Sequence, residues 1–272
     1  MNRDFQVFIG IDISIGTKPV TFIALDIDQQ PLAIGEGDVP DALAYAAGQS
    51  AGAVVAVNAA ARPNKGRMKR GDVRQSLKPA PGKGKYTALR QAEYELIRAG
   101  INVPETPAAA ANSLPWVRRG FTLVEKLEMM GYRHFPDDGD TPSARQWLET
   151  NADACYWSLM GVVPLQSGTL EGRIQRQLVL LDEELQVPDA MDFFEEITRY
   201  KLLKSILPTK NIFPQAELNA WMAAHTAWLA ANQPDCIRTF GEPEEGIVYL
   251  PRKTDKNEGE RDPRKRLDQD RD

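Results

Sequence analysis

Apolar residues fall in short unbroken runs near the start of the chain and at helical spacing further on. Phe5–Asp12 (FQVFIGID) stays largely apolar and closes on Asp12, which predicts a buried strand. Val20–Leu25 (VTFIAL) predicts a second strand after the turn Gly16-Thr17-Lys18-Pro19, and 31–35 a third, so a three-stranded meander is expected. The Ala-rich stretch 41–49 predicts a helix. The run AVVAV at 53–57 predicts a central strand covered on both faces. Helical spacing follows over 86–99, stopped by Gly100, and over 115–130, stopped by Gly131. A weak strand over 145–148 closes on Glu149. Helices are then predicted over 153–160, 169–185, 190–206 and 215–231, with a last apolar piece at 247–250. Strands first and helices later, with one buried strand between helices, predict an α/β protein with a mixed sheet covered on both sides.

Composition narrows the chemistry. At 272 residues there is room for one large domain or two small ones. The apolar runs fall far short of the ~20 residues that span a bilayer, and no secretory-type segment opens the chain. A cytoplasmic protein without a membrane partner is therefore expected. Two cysteines (Cys155, Cys236) and two histidines (His134, His225) cannot make a Cys-rich or His-based zinc site. The net charge of -5 opposes nucleic-acid binding by the chain as a whole. The segment 62–90 is the exception, with ten basic residues against Asp72 alone. Rich in Gly and Pro, it reads as a long mobile loop. It is either an arm that meets phosphates through Arg62, Lys65, Arg67, Lys69, Arg70, Arg74, Lys83 and Lys85, or a solvated insertion. Residues 252–272 hold eight basic and seven acidic side chains and one large aliphatic, Leu267. Such a tail is expected to be disordered, which sets the domain at 1–251.

The chemically informative positions are strand ends. Asp12 and Glu149 each close an apolar run, where an acid is costly unless it is paired or holds a cation. Asn58 closes the 53–57 strand in the same way. If the first and fourth strands are parallel neighbours, Asp12 and Asn58 lie side by side. Carboxylates converging there would suit Mg²⁺ or Mn²⁺, and such ions can clamp a phosphodiester during attack by water. The plainer reading of each residue is a turn or cap. Trp221, Trp228 and His225 read as packing residues on one helix, and both cysteines as ordinary thiols.

GIDIS (10–14), VTFIALD, AVVAVNAAARPNKG, RQAEYELIRAGI (90–101), WVRRGFTLVEKLEMMGY (116–132), LETNADACYWSLMG (148–161), LEGRIQRQ (170–177), LNAWMAAHTA (218–227) and EEGIVYLP (244–251) follow one another in order. Together, from about residue 7 to 251, they resemble the predicted ribonuclease H-like nuclease family catalogued as domain of unknown function 429. The resemblance implies a ribonuclease H-like α/β fold with a five-stranded mixed sheet flanked by helices. It also implies metal-dependent phosphodiester hydrolysis. Asp12 matches the first-strand acid of the family. Glu149 matches the acid of a Glu-x-x-Pro-like segment, here without the Pro. Asn58 and Asn219 stand where the family commonly has Asp. Arg90 and Glu93 match an Arg-x-x-Glu signature, and Arg173 and Arg176 a Gly-Arg-x-x-Arg helix. The implied site has Asp12 and Glu149 as principal ligands of Mg or Mn, and Asn58 and Asn219 as neutral ligands; Asp153, four residues after Glu149, would face the same pocket from a helical turn and supplement the metal ligands. A metal-bound water would be the nucleophile, and the 62–90 arm would hold DNA or RNA. Two amides in place of acids imply weakened activity. The alternatives are a catalytically inactive nucleic-acid-binding module of the same fold, or a site for a nucleotide or small phosphorylated ligand at the same strand ends.

Overall fold

The computed structural model describes residues 5–13, 19–49, 52–109 and 113–253. Residues 14–18, which include most of the turn expected at 16–19, and the charged tail from residue 254 on lie outside them. In chain order the strands are β1 (Phe5–Asp12), β2 (Val20–Leu25), β3 (Pro31–Gly37), β4 (Gly52–Asn58), β5 (Arg133–His134), β6 (Arg145–Thr150), β7 (Ile237–Glu242) and β8 (Gly246–Pro251). The helices are α1 (Val39–Ala47), α2 (Gly71–Ser76), α3 (Gln91–Arg98), α4 (Pro115–Met129), α5 (Ala152–Met160), α6 (Leu170–Asp182), α7 (Asp192–Glu196), α8 (Arg199–Leu203) and α9 (Gln215–Asn232). The strands form one mixed sheet ordered β3-β2-β1-β4-β6-β8-β7, with β5 beside β6. The meander β1–β3 is antiparallel, whereas β4 runs parallel to both β1 and β6. The sheet thus has eight strands, not the five expected. The additions are β5, two residues long, and the β7–β8 hairpin. Only β8 had an apolar signal, because β7 (IRTFGE) is a half-exposed edge strand without the alternation of a buried one.

The pleat of β1 explains why both faces are covered. Val7, Ile9 and Ile11 join Val55, Val57 and Trp147 in a core closed by α1 and α4. Phe8 joins Val54, Ala56 and Leu148 in the opposite core, closed by α5 and α9. The middle of α9 is buried around nearly its whole circumference, and its Ala220, Ala223, Ala224 and Ala227 let it lie close to the sheet. Gly10 completes that approach. A Cβ there would sit 2.0 Å from Ala220 O and 2.2 Å from Ala224 N. Trp221 is buried in this core. Among the described residues no helix is long and apolar enough to cross a membrane.

Two helical predictions change. The 86–99 helix begins only at Gln91, because Tyr86 has a φ of 61° and Arg90 is extended. The 190–206 stretch splits into α7 and α8 at Ile197-Thr198, where both residues are extended and Thr198 Oγ1 caps Lys201 N–H.

The basic segment is also not a loose loop. It holds a 3-10 turn at Arg67–Lys69, the helix α2, and Met68 fully buried against Leu89 and Tyr94. Glu245, buried in the β7–β8 turn, accepts from the backbone N–H of Lys65, Arg67 and Gln91. No apolar period marks this anchoring, since one distant carboxylate supplies it.

His134 of β5 packs edge-on to Trp147, 4.9 Å between ring centroids. Burial, with the Arg62 charge nearby, lowers its pKa to about 4. The unfolded imidazole takes up its proton near the ordinary value of about 6.5. The unfolded state therefore binds more protons between those values, and stability should be present above about pH 6.5 and fall as pH drops toward 4. The shift corresponds to at most about 3 kcal/mol. Denaturant unfolding at stepped pH should show this slope, and His134→Gln should flatten it. An unchanged slope in that variant would refute the assignment.

Candidate functional site

The C-terminal ends of the parallel strands open into a cleft of about 740 Å³ lined by Asp12, Asn58, Glu149, Asp153 and Asn219, among others. Ligands bind preferentially at such strand ends in open α/β sheets. Asp12, Asn58 and Thr150 are cross-strand partners in the β1–β4–β6 register. Their side chains therefore leave the sheet on one side, toward α9. Glu149 pairs with Val57 instead. One residue out of phase, it leaves the sheet on the opposite face.

Hydrogen bonds fix what each group does. Ala152 N–H, at the start of α5, donates to Asn58 Oδ1 at 2.8 Å. This bond orients the amide, so Asn58 Nδ2 must face Asp12, and it donates to Asp12 Oδ1 at 2.5 Å. Asn219 of α9 donates its Nδ2 to the same oxygen at 3.2 Å. Asp12, 5% exposed, thus takes two neutral donors on one oxygen. Asn58 is also a strut, holding the end of β4, the first turn of α5 and Asp12 together.

Glu149 has a different partner. Arg90 approaches it with both terminal nitrogens, 2.6 Å to Oε1 and 3.0 Å to Oε2. Ala61 N–H donates to Oε2 at 2.9 Å. Arg90 Nε meets Glu93 at 2.9 Å, and Glu93 also accepts from the N–H groups of Arg90 and Thr106. All three side chains are at least 96% buried. Burial alone would lower the Arg90 pKa, but Glu149 and Glu93 hold it above its ordinary value. The backbone makes room for this cluster at Gly246, which has a φ of 109° and whose Cβ would lie 2.9 Å from Glu149 Oε2. Asp153, on the first turn of α5, binds Arg176 at 2.7 Å. Arg176 also donates to the carbonyls of Leu165 and Gly172.

These partners bear directly on the expected Mg or Mn site, and the residues do not fit it. Among the described residues no three His, Cys, Asp or Glu side chains are grouped to hold an ion. Glu149 is neutralised by Arg90 and leaves the sheet away from Asp12, Asp153 is bound to Arg176, and the Asn58 oxygen is taken by α5. A dication needs several oxygen ligands converging at about 2.0–2.6 Å.

Comparison with protein-family models, with curated proteins and with solved structures gave no match.

The phosphate-contact residues also divide. Arg62 pairs with Glu128, Arg67 with Glu244, and Arg70 with Asp72, while Arg74 donates to the carbonyls of Met68, Pro81, Gly82 and Lys85. Arg62, Arg67 and Arg74 are thus engaged by the protein itself, while Arg70 stays at the surface beside Asp72. Lys65, Lys69, Lys78, Lys83 and Lys85 are exposed. Sequence reasoning missed Glu245, whose only sequence signal is an acid beside a turn glycine, and the cleft walls Val103, Pro104 and Trp116. The thiol of Cys155 is fully buried, which pushes it up to about 11 despite hydrogen bonding to Thr150. His225 satisfies its Nδ1 on Gln29 at 2.7 Å.

Proposed function

We propose that the chain is a catalytically inactive binding module built on a ribonuclease H-like scaffold. Support for the scaffold comes from the order β3-β2-β1-β4-β6, an antiparallel meander extended by two parallel strands, with Asp12 at its central edge. What carries the loss of catalysis is the pair of amides on Asp12 Oδ1. They occupy with N–H groups the place where a nuclease needs a cation. With Glu149 committed to Arg90, the cleft keeps its shape without a metal cluster. A nucleic acid would meet the exposed lysines of the 62–90 segment, outside a cleft whose carboxylates repel phosphates.

Calorimetric titration of Mn²⁺ or Mg²⁺ into the chain should give no saturable heat in the micromolar range. Saturable binding that disappears in Asp12→Ala would overturn the proposal in favour of a metal-dependent nuclease with neutral amide ligands.

A further inference from the structure

The floor of the cleft contains an unmet hydrogen-bond demand. Asn219 is 8% exposed and its Nδ2 is committed to Asp12. Asp12 Oδ1 accepts there, so the amide oxygen is turned away from it. Asn219 Oδ1 has no donor among the described residues, on a side chain that lines the cleft and must turn slightly to present it. A buried acceptor without a partner is unfavourable. Water or a ligand donor satisfies such an acceptor, and the charge and lining of the cleft bear on which ligand could do so.

Charge and shape narrow the donor further. Six carboxylates line the cleft (Asp12, Glu36, Glu93, Glu105, Glu149 and Asp153), against one basic residue, Arg90. Arg90 is consumed by Glu93 and Glu149, and Asp153 by Arg176. Glu36 on β3 and Glu105 are exposed at the rim and form no ion pair among the described residues. Part of the lining is apolar, with Val103, Pro104, Trp116 and Pro214. A sugar or alcohol would satisfy Asn219 but leave the rim carboxylates unmatched, and a phosphate would be repelled by them. An ammonium group is donor-only and cationic. An aliphatic chain carrying several of them would lay its methylenes on the apolar wall and put a cation within reach of the Trp116 ring face.

We infer that the cleft binds a linear aliphatic polyamine, with one ammonium group on Asn219 Oδ1 and others on Glu36 and Glu105. The inference rests on the metal-independent reading of the cleft given above.

The test is calorimetric titration of spermidine into the full chain at low ionic strength, with Mn²⁺ titrated in parallel. Spermidine should bind saturably at one site. Affinity should fall about tenfold or more, equivalent to about 1.4 kcal/mol, in Asn219→Ala and in the double variant Glu36→Gln, Glu105→Gln. It should stay within about twofold in Asp235→Asn, an exposed acid that is not part of the cleft lining. The two rim residues are exposed, so the double variant keeps the test readable should Asn219→Ala fail to fold. Absence of saturable binding, indifference to the rim variant, or an equal loss in Asp235→Asn would each overturn the polyamine site. Asp12-dependent binding of Mn²⁺ would instead bring down the metal-independent reading, whatever spermidine does.

Discussion

Replacing Arg90 with methionine should lower the stability of the fold by about 3–5 kcal/mol, the usual cost of removing one partner from a buried ion cluster. The guanidinium joins two carboxylates drawn from α3 and β6 and also donates to Glu245 O in the β7–β8 turn. Its loss leaves the nearly buried Glu93 and Glu149 without their counter-charge. For a chain of this size the penalty corresponds to a fall of about 10 °C in Tm. Adding Glu149→Gln to Arg90→Met should recover part of the loss, because one unmatched charge is then gone while Ala61 N–H keeps an acceptor. Differential scanning calorimetry of the two variants decides the matter. A Tm of Arg90→Met within 2 °C of the parent would show that the cluster contributes nothing to holding the hairpin on the sheet.

Gly10→Ala is the second change with a large expected effect. Overpacking in a core typically costs about 1–3 kcal/mol and occasionally more. The upper end or beyond applies here, because the obstacle is the backbone of α9, which cannot rotate away as a side chain could. The methyl at 2.0 Å from Ala220 O must push helix and sheet apart, and with them Asn219 from Asp12. Gly71→Ala is the matched control. Nothing lies within 4 Å of a Cβ there, and stability should be unchanged or slightly higher. Denaturant melts of both variants give the comparison. Equal midpoints would mean that α9 does not rest on β1 as described.

The extent to which the sequence disclosed this molecule depended on the range of each signal. β1, β2 and β4 are apolar over most of their length, and α4 repeats its apolar residues at helical spacing, so these were legible. Asp12 and Asn58 were legible as strand ends, and their pairing followed once β1 and β4 were taken as parallel neighbours. Glu149 also ends its apolar run, but whether it faces Asp12 depends on the β4–β6 register, which shifts the answer by one residue and reverses the face. Composition carries no trace of that offset. The arm showed the opposite failing. Its Gly, Pro and charge content looked like a free loop, whereas three backbone donors converge on Glu245, more than 150 residues away in sequence. The edge strand β7, half exposed, left no pattern at all.

The strut at position 58 makes the cleft indifferent to divalent ions. An aspartate there could still accept from Ala152 but would lose its donor to Asp12 and set two anions side by side. In a solution without divalent ions such a pair would have to share a proton, with one carboxyl raised well above the usual carboxylate range, or be bridged by a cation. The amide at position 58 avoids both demands, since it gives Asp12 a neutral donor and keeps the end of β4 tied to α5 at any divalent-ion concentration.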